Sequence, residues 1–149
     1  MPAVLSTDTL ATLPRLPGWE RRVDAVLEAA RHQPYVLGAH DCFRLACRVV
    51  DALVGLDHWP EFEGYTTRRQ ALARLAQHGS SFEAAGNAFF GAPHVDVRLA
   101  RRADICCVQT FDGEKHLGVC LGAQVALLAP QGWIVANTLA CLCAWRVGR

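Results

Sequence analysis

The hydrophobic period changes once along this chain, and that change limits the fold more than any other feature. Between Glu20 and Arg31, Val23, Val26, Leu27 and Ala30 recur at helical spacing among charged residues, which predicts an amphipathic surface helix. The stretch Gln33-Pro34-Tyr35-Val36-Leu37-Gly38 then breaks it, because proline biases the residue before it away from helix and glycine permits a sharp turn. From Cys42 to Val54 the strongly polar Arg44, Arg48 and Asp51 fall on one narrow stripe, so this second helix is predicted to be largely buried. Two capping boxes predict further helices: Thr67 with Gln70 opens one that carries Leu72 and Leu75, and Ser80 with Glu83 opens a short one ending near Gly86. Beyond Ile105 the pattern turns to β-compatible runs at 105–110, 116–121, 124–128, 133–137 and 142–147. Turn sequences at Asp112-Gly113, Gly122-Ala123 and Pro130-Gln131-Gly132 separate them. Helices followed by a meander of strands predict an α+β fold, a helical first half whose buried helix packs on a C-terminal antiparallel sheet.

With 149 residues and 52% hydrophobic content, the chain has material for one core. The expected organisation is an N-terminal arm over 1–15 and a single domain over 16–149. Fifteen basic residues against 14 acidic leave a net charge of +1, which lacks the electrostatic footprint that nucleic-acid binding needs. No run approaches the ~18 apolar residues of a membrane span, and no charged segment precedes an apolar run near Met1. Synthesis in the bacterial cytoplasm without a signal peptide is therefore expected. Seven cysteines, an odd number, argue against a disulfide framework in that setting. Cys141 and Cys143, two apart on a predicted strand, should share a face, with Cys106, Cys107 and Cys120 nearby, but the spacings match no zinc or iron–sulfur pattern. No metal and no cofactor is expected.

Asp41 is placed to cap the helix that follows, which puts Cys42 in its first turn, where unpaired N–H groups and the helix dipole favour a thiolate. A cysteine nucleophile needs an imidazole. His32 and His78 fall at predicted helix ends, His58 and His94 in proline-flanked loops, and His40 is expected to be solvated. His116 opens a strand directly after the Asp112-Gly113 turn, and a strand-borne base facing a helix-borne thiol suits nucleophilic catalysis.

Taken in order, Tyr35-Val36-Leu37-Gly38, Asp41-Cys42, Ala103-Asp104-Ile105 and His116-Leu117-Gly118-Val119 resemble the motifs of NlpC-type cysteine peptidases, which have a papain-like fold. Pro17-Gly18-Trp19, Gly38-x-His40-Asp41-Cys42, Thr67-Arg68-Arg69, Arg101-Arg102-Ala103-Asp104 and Cys143-Ala144-Trp145-Arg146-Val147 are similar to a phage-encoded branch of those proteins found among tail genes. The resemblance runs from Leu16 to Val147. It implies Cys42 as nucleophile, His116 as base and Tyr35 in the nucleophile's pocket, with its phenol beside the oxyanion. It further implies peptidoglycan as substrate, other tail-tip subunits as partners and the virion tail tip as location. Met1 to Leu13 is then expected to be held against those subunits through Val4 and Leu10. Three positions depart from the pattern: Leu37 replaces an aromatic residue, Ala103 a glycine, and Leu128 the polar residue that orients the imidazole, for which Asn137, Gln124 or a backbone carbonyl are the open substitutes. The alternative function that Leu128 implies is a structural tail-tip or assembly protein that keeps the fold without turnover.

Overall fold

A computed structural model describes residues 9–149. Among them are four α-helices, α1 (Trp19–Arg31), α2 (Cys42–Val54), α3 (Arg68–Ala76) and α4 (Phe82–Phe90). Five strands follow, β1 (Ile105–Gln109), β2 (Lys115–Cys120), β3 (Gln124–Ala129), β4 (Gly132–Asn137) and β5 (Cys143–Trp145). The fold is α+β. The strands form one antiparallel sheet in the order β4-β3-β2-β1-β5, so the chain meanders through four strands and returns to pair the free side of β1.

Local chemistry sets the limits of α2. Asp41 Oδ1 accepts the Arg44 backbone N–H at 2.8 Å, and Gly55 in the left-handed conformation ends the helix. Leu45, Val49, Val50 and Leu53 are at most 1% exposed, each contributing roughly 1.5–3 kcal/mol through burial. They lie between α1, which contributes Val23, Leu27 and Ala30, and one sheet face, which contributes Leu117, Val119, Leu128 and Trp145. The opposite sheet face buries Cys106, Cys120, Val125, Leu127 and Ala144 under Val95, Val97 and Ala100 of the segment that leads into β1.

Several expectations change at this level. Ser81, one residue later than predicted, caps α4 by accepting the Ala84 N–H at 3.0 Å, while Glu83 pairs with Lys115 at 2.7 Å. The helix runs through Gly86 to Phe90, where left-handed Gly91 ends it, and Gly86 sits where the Trp145 ring leaves no room for a Cβ. Strand β5 is shorter than the predicted run, since the Val147 N–H turns aside to Asp104 Oδ1 at 3.0 Å. Cys141 precedes the strand and joins Cys106 and Cys120 on one face, whereas Cys143 meets Cys107 on the other, so Cys141 and Cys143 do not share a face.

Leu10, expected to anchor a neighbouring subunit, is instead a core residue of this chain at 5% exposure. Val4 lies outside the described residues. The Leu10 and Leu13 carbonyls accept the N–H groups of Gly148 and Arg149 at 2.6 and 2.9 Å. Asp104, fully buried, gathers the Arg15 and Arg101 guanidinium groups with the Arg101 and Val147 amides, tying the N-terminal segment to the end of the chain.

Candidate active site

The residues before α2 form a tight, hydrogen-bonded turn. Val36 and His40 pair across it, and Gly38 reverses the chain at φ 82°, where a Cβ would overlap the Tyr65 carbonyl oxygen. The Gly38 N–H donates to Asp41 Oδ2 at 2.9 Å, and the Tyr65 hydroxyl donates to the same oxygen. Asp41 is therefore cap, turn clamp and tyrosine acceptor at once, at 2% exposure. His40, expected to be solvated, is 5% exposed and lies 3.0 Å from the Ala30 carbonyl through Nε2. That contact requires a proton on Nε2 and leaves Nδ1 to accept from Arg48 at 3.4 Å. It joins the end of α1 to the start of α2.

Cys42 follows in the first turn of α2 and is the one partly exposed cysteine of the seven, the other six being buried. Its thiol is not depressed as the helix start predicts. Burial pushes it up to about 12 and the Asp41 carboxylate adds to this, while backbone N–H groups of Leu117, Cys42 and Phe43 pull the other way. Among the thiols on the sheet, Cys120 is drawn down, chiefly by the Cys106 hydrogen bond, but it is sealed in the core. Among the described residues no group of three or more His, Cys, Asp or Glu side chains is arranged to hold a metal.

His116 lies at the start of β2 and is half-buried. Burial lowers its pKa from the ordinary histidine value, partly offset by the carboxylates of Asp112 and Glu114. Its Nε2 is buried with no hydrogen-bond partner. Leu128 is packed in the core, and Asn137 uses its side chain to accept the Leu139 N–H at 2.9 Å, so neither orients the ring.

Cys42, His116 and Tyr35 line one cavity of about 480 Å³. Cys42 and His116 share this cleft, and no hydrogen bond joins the sulfur to the ring among the described residues. The raised thiol and the lowered imidazole both favour the neutral forms at neutral pH. Burial raises the Tyr35 phenol to about 12, with Cys42 and Asp41 adding, so it remains an O–H donor facing the same space. The far wall is built by α3 and α4. Sequence reasoning missed Tyr65, whose hydroxyl is fixed by Asp41 and whose ring meets Trp59 at 5.8 Å. It also missed the two ion pairs at the cavity, Arg68 with Glu114 and Lys115 with Glu83. Each joins residues more than 30 positions apart, and no local pattern announces such partners.

Residues 14–147 match the family described as a domain of unknown function, DUF6950. The chain belongs to that family. Among curated proteins none matches the sequence. The match spans every element of this DUF6950 domain and begins just before Arg15, the partner of Asp104. Within the domain, Ala103 adopts φ 72°, a left-handed conformation that glycine accommodates at less cost. Trp145 stacks on Phe90 at 5.3 Å and donates from Nε1 to Asn87 Oδ1 at 2.9 Å, so this part of the terminal motif serves packing. No helix among the described residues is long and apolar enough to cross a membrane.

Proposed function

We propose that this DUF6950 domain is a cysteine hydrolase of the papain-like NlpC type, with Cys42 as nucleophile and His116 as base. The observation that carries it is that Cys42, the one partly exposed cysteine of seven and placed at a helix start, lines the same cavity as His116. Because both groups rest neutral, the chemistry is general-base: His116 takes the thiol proton as sulfur attacks the carbonyl carbon, rather than meeting a preformed thiolate. The amide C–N bond then breaks as His116 returns the proton to the leaving amine, and water releases the acyl group from sulfur. The Tyr35 hydroxyl and the N–H groups at the start of α2 are the donors available to the developing oxyanion.

The bond we propose is an amide of peptidoglycan, and the setting a phage tail tip alongside other tail subunits, as the order of motifs suggests. The test is release of peptide fragments from purified peptidoglycan, by tail particles and by the isolated domain. Cys42→Ala and His116→Ala should each abolish release with little change in thermal stability. A second reading, a structural tail-tip protein without turnover, is favoured by the unpartnered Nε2 of His116 and by Leu128 filling the core. Full infectivity of Cys42→Ala particles together with no release by wild-type particles would establish that reading in place of the first.

A further inference from the structure

The cavity beside Cys42 is far more apolar than thiol chemistry requires. Leu37, Phe62, Leu72, Leu75, Phe82 and Phe89 are among the residues that line it. Its volume of about 480 Å³ lies within the range of roughly 300–1,000 Å³ typical of small-molecule sites. Helix α3 has no buried residue, and Leu72 is 49% exposed although it faces this space, so the helix presents apolar side chains that the protein itself leaves uncovered. The cations on the wall are already engaged: Arg68 with Glu114, Lys115 with Glu83, and Arg74 with the Phe62 carbonyl at 2.9 Å. An apolar group can lie between α3 and α4 against these side chains without desolvating the ion pairs.

We infer that this cavity is the acyl-side subsite of the Cys42 thiol and takes a substrate whose acyl group carries an apolar aliphatic chain, laid between α3 and α4. The inference rests on the Cys42–His116 reading for its chemistry and on the cavity alone for its specificity, and it names an acyl group different from that of the peptidoglycan amide proposed above. Sulfur forms a thioester with the acyl carbon as the C–N or C–O bond to the leaving group breaks. His116 passes the thiol proton to that leaving group. Water, deprotonated by His116, then breaks the C–S bond, giving the carboxylic acid and restoring the thiol.

The test uses the full chain with p-nitrophenyl acetate, butyrate, hexanoate and octanoate, each below its micelle concentration. The expected result is a kcat/KM that rises roughly fourfold per added methylene and is lost in Cys42→Ala. The double variant Leu72→Gln with Leu75→Gln should lower the octanoate-to-acetate ratio at least tenfold; neither position is buried, so the fold is not at risk. Cys42-dependent hydrolysis that is flat or falling with chain length overturns the acyl subsite while the thiol reading stands. If no ester is cleaved in a Cys42-dependent way, the catalytic reading fails and the subsite is judged by binding. Calorimetry on the Cys42→Ala chain should then show octanamide binding at least tenfold tighter than acetamide, with the preference lost in the double variant. Equal affinities overturn the subsite.

Discussion

The Tyr65 hydroxyl donates to Asp41 Oδ2, the carboxylate oxygen that also accepts the Gly38 N–H, one residue before Cys42. A tyrosine from the loop before α3 thus holds the cap of α2 from the side, and the start of the helix is fixed by tertiary contact as well as by its own turn. Tyr65→Phe removes that donor from a carboxylate that is 2% exposed. The expected loss is about 1–3 kcal/mol of unfolding free energy. Chemical denaturation measures it, and an unchanged midpoint would show that water replaces the hydroxyl without cost.

Cys42 should be alkylated by iodoacetamide before the other six thiols, since those are buried. Because burial and Asp41 raise its thiol to about 12, the rate should climb steadily from pH 7 to pH 10 rather than level off. Peptide mapping of the labelled protein across that range gives both results. A plateau below pH 8 would indicate a preformed thiolate–imidazolium pair and exclude the general-base sequence.

His116 should titrate below the ordinary histidine value of about 6.5, as burial disfavours its charged form. Asp112→Asn should lower it further, because that carboxylate acts in the opposite direction. The ring Cε1 proton followed by NMR reads both shifts without any activity assay. With its pKa lowered on folding, the ring binds more protons in the unfolded chain, so stability rises with pH through this window. The His116 contribution is fully present above about pH 6.5 and is lost as pH falls through the folded value.

Two left-handed positions should respond differently. Gly38→Ala places a Cβ against the Tyr65 carbonyl at φ 82°, and steric overlap and backbone strain together should cost roughly 2–5 kcal/mol. Ala103→Gly relieves a left-handed alanine at φ 72° but gives up a buried methyl, so it should stay within about 1 kcal/mol of the parent. Thermal unfolding of the two variants separates them.

Much of the scaffold is local and was legible. The limits of α2, its Asp41 cap, the Thr67–Gln70 capping box and the run of strands depend on residues within a few positions of one another, or on a period that survives without knowledge of the partner. Cys42 and His116 could be singled out because each stands at the start of an element. Their placement on one cavity, the unpartnered Nε2 of His116 and the raised Cys42 thiol were decided by what the fold brings alongside. The helix start alone favours a thiolate, but desolvation and a neighbouring carboxylate act through space and prevail here. His40, Leu10 and Tyr65 belong to the same class. Their sequence neighbourhoods are polar or irregular, and only the arrival of the α1 C-terminus, the chain's last residues and the Asp41 carboxylate makes them interior. Sequence alone determined which segments form helix or strand, because periodicity and capping are short-range. Burial, hydrogen-bond partners and the charge state of the thiol were decided by tertiary structure, because those depend on groups tens of residues away.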